Sequence, residues 1–264
     1  MKESGKPTTA EIFTRAINGH LAGDAFEKLQ ACRVLVAGLG GGSNVAELLA
    51  RKGFGTLVVV DPDTYEPSNV RQRQSVASSW GTPKALSVRD RLLDINPNMV
   101  VEATHGPLTT ENAESFVERV DLVVDMLDFS ALREKVALHT AARRQKKYAM
   151  TAPSIVNGAA CVVFAPDGIP FDDWLSQGEP ISPEGVVRRF GERFPDEAPR
   201  EMFMEAAHGQ RAFPLDAVGV DQAAILLTTA GENLVLGRLD RVILAPKYLL
   251  VDTSDPRFLG RVVE

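Results

Sequence analysis

The sequence predicts a doubly wound α/β fold with a mostly parallel sheet, and three observations carry that reading. Short apolar runs alternate with amphipathic helical stretches. The runs stay apolar at consecutive positions, which marks strands buried on both faces. A glycine-rich turn joins the first run to the helix after it.

Taken in order, residues 10–30 place Ile12, Phe13, Ile17, Phe26 and Leu29 at near-helical spacing, with a break at Asn18 and Gly19, and predict two short helices. Residues 33–37 form a β-branched apolar strand that runs into Gly38-Leu39-Gly40-Gly41-Gly42. A helix over 43–52 follows, stopped by Gly53. A second strand over 56–60 ends in Asp61-Pro62-Asp63 and completes one βαβ unit. The alternation continues with a helix over 83–96, where Ala85, Val88, Leu92 and Ile95 share a face, and a strand over 99–103. A helix over 110–119, a strand over 122–125, a helix over 130–145 and strands over 147–151 and 159–164 come next. Residues 166–214 hold seven of the sixteen prolines and read as an irregular insertion or lid. From 215 the pattern is regular again, with a helix over 223–236 and strands over 241–244 and 248–252.

Composition narrows the function classes. With 44% hydrophobic residues in 264, the chain can bury a substantial core, and a net charge of −6 argues against a dedicated nucleic-acid or membrane-surface binder. The first nine residues are polar, and no stretch reaches the roughly 18 apolar residues of a membrane span. Cys32 and Cys161 are too few for a disulfide framework, and no Cys-x-x-Cys pair exists to hold zinc. A reducing, cytoplasmic setting is expected, with both cysteines acting as small hydrophobes. His20, His105, His139 and His208 show no metal-ligand spacing and read as structural or exposed.

The chemistry gathers at the ends of the strands. A glycine turn between strand and helix lets backbone amides and the positive helix end face an anion, so Gly38, Gly40, Gly41 and Gly42 are candidate phosphate-binding positions. Ser43 stands where a dinucleotide fingerprint needs glycine or alanine. Asp61, at the end of the second strand, is placed to accept from ribose hydroxyls, which NAD and ATP would both satisfy; capping its own turn is the plainer role. Asn69, Arg71 and Arg73 on the following loop and Lys84 at a helix start put cations where a triphosphate needs them, and this favours ATP over a nicotinamide dinucleotide. Asp125 and Asp128 close the fourth strand, and Asp128 is the candidate Mg²⁺ ligand.

With these residues laid out, the chain resembles the ThiF/MoeB family of adenylating enzymes, relatives of the adenylation domain of ubiquitin-activating enzymes. The resemblance rests on residues 36–43 (VAGLGGGS), 49–55 (LARKGFG), 60–63 (VDPD), 67–69 (PSN), 83–85 (PKA), 95–97 (INP) and 121–128 (DLVVDMLD), and covers about residues 11–165. It implies a Rossmann-like core that binds ATP and Mg²⁺ and activates the C-terminal carboxylate of a small ubiquitin-like or sulfur-carrier protein, or of a peptide, as an acyl adenylate. By the same resemblance Gly40 and Gly41 meet the phosphates, Asp61 with Asp63 beside it the ribose, Asn69 and Lys84 the triphosphate, and Asp128 magnesium. Arg73 or Arg71 is the catalytic arginine, and Arg15 reaches a partner's phosphates across a homodimer.

The implied organisation is a helical segment at 1–30, an ATP-binding core at 31–165, the insertion or lid at 166–214 and a C-terminal helix with strands at 215–264. Three features depart from the family pattern. The turn lacks one residue of G-x-G-G-x-G, S-N-x-N-R-Q becomes Ser68-Asn69-Val70-Arg71-Gln72-Arg73-Gln74, and Phe129 replaces the usual asparagine. No zinc is expected. An NAD(P)-dependent oxidoreductase and a non-catalytic nucleotide-binding partner subunit are the alternatives.

Overall fold

The computed structural model describes residues 6–155, 157–182, 185–186, 189, 201–202, 204–206, 208, 210–211, 215–253 and 260–263. The chain opens with three short helices, α1 (Thr9–Ile12), α2 (Thr14–Ile17) and α3 (Ala25–Ala31), where the periodicity predicts two. The extra break falls at Phe13, which leaves helical geometry and packs its ring 5.3 Å from that of Phe26.

Next come β1 (Arg33–Ala37), α4 (Gly42–Lys52) and β2 (Thr56–Asp61), the expected βαβ unit, with the helix starting one residue early. Helix α5 (Lys84–Ile95), β3 (Val100–His105), α6 (Ala113–Glu118), β4 (Leu122–Asp125), α7 (Leu132–Arg144) and β5 (Tyr148–Thr151) continue the alternation. The remaining elements are β6 (Ser154–Ile155), β7 (Gly158–Phe164), α8 (Phe171–Ser176), α9 (Ala217–Val235), β8 (Tyr248–Asp252) and β9 (Arg261–Val263).

The sheet runs β3-β2-β1-β4-β5-β7-β8-β9, with β6 paired to β7. The first five strands are parallel, and β7, β8 and β9 extend them antiparallel. Strand alternation splits the interior in two. Val34 and Val36 of β1 and Leu57 and Val59 of β2 face a core with α3, α4, α5 and α9, while Leu35, Ala37, Val58 and Val60 face α6 and α7. Because β2 and β3 lie on one side of β1 and β4 and β5 on the other, the β1/β4 boundary is the topological switch point, where such folds bind ligands.

The expected strand over 241–244 does not form. The amides of Arg241 and Val242 are taken by the carbonyls of Arg238 and Leu239 in a 3₁₀ turn, leaving a single bridge between Val163 and Leu244. Strands β6 and β9, two and three residues long, are too short for periodicity to reveal. Of the insertion at 166–214, helix α8 buries Phe171, Trp174 and Leu175 against Phe164 and Tyr248, and most positions from 183 to 214 lie outside the described residues.

Candidate functional site

The glycine turn follows β1 at the switch point, and its four glycines divide by what surrounds them. Gly38 has φ +83°, and a Cβ there would sit 2.5 Å from the carbonyl oxygen of Met126, so conformation and packing both demand glycine. At Gly41 and Gly42 a Cβ would press on Met126 and Val36. Gly40 is different: its φ is ordinary, and the nearest atom to an added Cβ is Nε2 of Gln72 at 3.7 Å. The turn leads into α4 with Gly41 as N-cap and no side-chain cap; Asn44 N bonds back to Gly41 O, and the amides of Gly42 and Ser43 open the 11-residue helix at the end of β1 without intrahelical acceptors.

Asp61 holds this turn in place. Its carboxylate accepts from Leu39 N at 2.5 Å and from Asp63 N at 2.8 Å, and it is only 4% exposed. Burial pushes its pKa up, opposed by those amide bonds and by the charge of Lys84. Asp63 in turn takes an ion pair from the buried Lys84 at 2.9 Å, and Lys84 N donates to Asp63 O. Leu39, Asp61, Asp63 and Lys84 thus form one bonded chain from the turn to the start of α5. Capping and ligand roles are compatible at Asp61, since a carboxylate offers about four acceptor sites.

On the loop after β2, Asn69 Oδ1 accepts from Glu66 N at 3.2 Å and caps a 3₁₀ turn, and Arg71 folds back to the carbonyl of Ser68 at 2.9 Å. Arg73 instead reaches inward. Its amide donates to Oδ1 of the buried Asn44 at 3.1 Å, and its guanidinium pairs with Asp221 of α9 at 2.9 Å; Asn44 Nδ2 donates to the same carboxylate at 2.7 Å. The Asp221 hydrogen bond raises the Arg73 pKa, with burial opposing it. The loop therefore anchors one arginine against the N-terminal ends of α4 and α9 and turns the other onto its own backbone.

Beyond β4, Asp125 is withdrawn from any metal role. It is fully buried, paired with Lys135 at 2.9 Å and with His139 Nε2 at 2.9 Å. Burial alone would raise its pKa, but Lys135 and His139 outweigh that and hold the carboxyl down at about 2. Burial lowers the pKa of His139, whose ring stacks on Phe171 at 4.2 Å. Lys135 also donates to Leu127 O at 2.9 Å, and Leu127 N donates to Asp125 at 3.1 Å, so the buried pair clamps the loop that carries Asp128.

Asp128 is exposed at the head of a 3₁₀ turn and makes no side-chain cap. It lines a solvent-open cleft of about 560 Å³ with Gly41, Met126, Phe129, Lys135 and Val220. The cleft brings the turn and Asp128 together.

Arg15 is not brought to this site. It is exposed on α2, whose neighbour Phe13 packs near Gly53 at the far end of α4, about 16 Å from the turn by helical rise. Cys32 and Cys161 are buried, and burial pushes both thiols up to about 12, so neither is a ready nucleophile. Asn44, Gln72, Lys135 and Asp221 escape a reading of the sequence. Lys135 and His139 do carry one signal, their i,i+4 spacing on α7, but Asp221 lies 148 residues from Arg73 and carries none.

A glycine turn, a buried aspartate at the end of the second strand and an acidic loop across the switch point define a doubly wound α/β protein of the nucleotide-binding type. The chain belongs to the ThiF family, whose model matches residues 13–203. It is 37% identical over 116 residues to the molybdopterin-synthase adenylyltransferase of Escherichia coli (strain K12), covering 43% of this chain and 46% of that protein. Over 118 residues it is 36% identical to the sulfur carrier protein ThiS adenylyltransferase of the same organism, covering 44% and 47%. The chain spans about half the length of the curated relatives it matches. In three dimensions it is similar to the crystal structure of PaaA (TM-score 0.73, 19% identity, covering 100% of this chain and 85% of that one). It is also similar to E. coli MccB with MccA-N7isoASN (TM-score 0.74, 15% identity, 96% and 72%). At those identities the likeness is one of fold.

Proposed function

We propose that the protein is an ATP- and Mg²⁺-dependent adenylyltransferase that activates the C-terminal carboxylate of a small ubiquitin-like or sulfur-carrier protein, or of a peptide. The observation that carries this reading is the meeting of Gly41 and Asp128 in one cleft at the switch point, with Asp61, Lys84 and Arg73 bonded into the elements around it. Family membership supports it, as do relatives named for ThiS, a sulfur carrier protein, and a related structure solved with MccA.

In the proposed step, a carboxylate oxygen of the substrate bonds to the α-phosphorus and the bond to the pyrophosphate bridging oxygen breaks, giving acyl adenylate and pyrophosphate. An ionised carboxylate needs no general base. The amides of Gly40 and Gly41 and the start of α4 receive the phosphates, Asp61 the ribose, and Lys84 and Arg73 the charge that develops on the phosphoryl oxygens. Arg71 and Asn69 border the same loop. Mg²⁺ would be held by one carboxylate, Asp128, with phosphate and water oxygens completing its shell. Bound there, Mg²⁺ would neutralise charge on the triphosphate.

A cytoplasmic homodimer completes the proposal, in which the partner subunit's Arg15 supplies a further cation; a fully active monomer in sedimentation would remove that role. Among the described residues no helix is long and apolar enough to cross a membrane. Residues 1–30, 31–165, 166–214 and 215–264 would act as helical entry, ATP-binding core, acyl-substrate cover and closing layer.

The test is exchange of labelled pyrophosphate into ATP with candidate carboxylate partners. Exchange abolished by Asp128→Ala and by Lys84→Ala is expected. NADH binding without ATP binding would overturn the reading.

A further inference from the structure

Asp128 is placed without being bonded. Its side chain is exposed and makes no hydrogen bond or ion pair among the described residues, so only its own backbone fixes where the carboxylate stands. That backbone is gripped on both sides by one residue of α7. Lys135 Nζ donates to the carbonyl of Leu127 at 2.9 Å, and its charge lies 5.1 Å from the centre of the Phe129 ring. The Leu127 amide is held as well, donating to Asp125 at 3.1 Å. Both chain neighbours of Asp128 therefore rest on the Asp125–Lys135 pair.

Stability alone does not call for this arrangement. Both side chains are sealed from water, and the cost of burying an ammonium and a carboxylate offsets most of their attraction; well-packed apolar residues of like volume often serve a core as well or better. An apolar pair, however, could not bond the Leu127 carbonyl. Lys135 also lines the cleft beside Asp128, yet its donors are spent. Nζ lies 2.9 Å from each Asp125 oxygen and from Leu127 O, which accounts for all three N–H groups of an ammonium. With none left for a ligand, Lys135 acts on the cleft only through what it holds.

We infer that Lys135 is a positioning residue for a divalent cation: it holds the backbone on either side of Asp128 so that this carboxylate stands ready for the metal. Asp125 in turn fixes Lys135 and the Leu127 amide. The inference rests on the proposed role of Asp128 as Mg²⁺ ligand and extends that site to side chains that never touch the ion. A carboxylate already held in place loses little freedom when a cation binds, so the clamp raises metal affinity and leaves metal-free nucleotide binding alone.

The experiment uses the full chain and Mn²⁺ as probe, a cation that takes the same oxygen ligands, and reads by electron paramagnetic resonance how far the protein tightens Mn²⁺ binding over ATP alone. Lys135→Met by itself strands a buried carboxylate, so the decisive variant is the neutral pair, Asp125→Asn with Lys135→Met. It is expected to unfold close to the native temperature, to bind metal-free ATP as the native chain does, and to hold Mn²⁺ about tenfold more weakly. Asp125→Asn alone keeps Lys135 on Leu127 and is expected to lose stability but not Mn²⁺ affinity. Asp128→Asn should abolish the gain in Mn²⁺ affinity, and adding it to the neutral pair should bring no further loss, because the pair acts through that carboxylate. Native Mn²⁺ affinity in the neutral pair overturns the inference, as does an equal loss in Asp125→Asn alone. A neutral pair that unfolds far below the native chain, or that loses metal-free ATP binding, also overturns it, marking a purely structural pair. If Mn²⁺ binding behaves as expected but no candidate partner supports pyrophosphate exchange, the adenylyltransferase reading fails while the inference stands. If Asp128→Asn leaves Mn²⁺ binding unchanged, the inference fails, and exchange by the native chain would keep the reading.

Discussion

Replacing Lys135 by methionine tests the buried clamp beneath the Asp128 loop most directly. Asp125 is 0% exposed, and its neighbours are the Lys135 ammonium, the His139 ring and the amide of Leu127. Methionine fills nearly the same volume but leaves the carboxylate without its main counter-charge. Breaking a buried pair in this way costs about 3–5 kcal/mol, a large part of the roughly 5–15 kcal/mol that stabilises an ordinary domain, and lowers the unfolding temperature by about 10 °C.

The pH dependence gives the argument its sign. In the native chain the Asp125 pKa is depressed from its ordinary 3.8 to about 2, so its contribution, on the order of 2 kcal/mol, is present above pH ~4 and is lost as pH falls towards 2. His139, depressed by burial, contributes in the same direction, beginning to lose stability as pH falls through its ordinary 6.5. Without Lys135, the Asp125–His139 pair takes up a proton in the folded state that the native pair does not hold. The deficit of Lys135→Met relative to native is therefore expected to widen as pH rises from 5 to 8. Urea unfolding at both pH values measures it. Adding Asp125→Asn should return much of the stability by removing the stranded charge. A deficit below about 1 kcal/mol at pH 8, or one that narrows with rising pH, would refute the assignment of Lys135 as counter-charge.

Gly38→Ala forces a Cβ against the Met126 carbonyl at a φ of +83°, and a loss of about 2–4 kcal/mol in urea unfolding is expected; a loss under about 0.5 kcal/mol would show that the turn relaxes freely. Asp221→Ala removes the anchor of Arg73. Both partners are more than a third exposed, so stability should change by less than about 1 kcal/mol, whereas pyrophosphate exchange should fall about tenfold in kcat if Arg73 acts at the phosphates. Unchanged exchange would transfer that role to Arg71.

The parallel half of the sheet was legible because its signals are local: consecutive apolar residues in β1, β2 and β4, and glycines where the chain must reverse. The antiparallel extension was partly hidden. The apolar run at 241–244 carries strand-like residues, but its amides are taken by a 3₁₀ turn, an outcome of tertiary packing that composition does not encode. The site divides the same way. Gly41, Asp61, Lys84 and Asp128 stand where motif spacing puts them, at strand ends and helix starts. Asp221 and Lys135 matter only through what the fold brings beside them, and of the two carboxylates near the end of the fourth strand, Asp125 is sealed by burial while Asp128, three residues beyond, stays exposed.

Two of the three departures from the family pattern meet in space, and that makes them testable as a pair. The glycine turn is one residue short between Gly41 and Gly42, and the arginine loop, with seven residues in place of the six of S-N-x-N-R-Q, is one residue long. Gln72 on the lengthened loop faces Gly40 on the shortened turn. If the longer loop fills the room that the shorter turn leaves, the two changes are energetically coupled. Inserting one residue between Gly41 and Gly42 should then crowd Gln72, and deleting Arg71 should withdraw the loop, each weakening ATP binding about tenfold. Combining them should restore binding to within about threefold of native, a coupling of roughly 2 kcal/mol where independent sites would add. Strictly additive losses would mean that the turn and the loop departed from the family pattern separately, and that the contact between Gln72 and Gly40 is not a compensation for the missing residue.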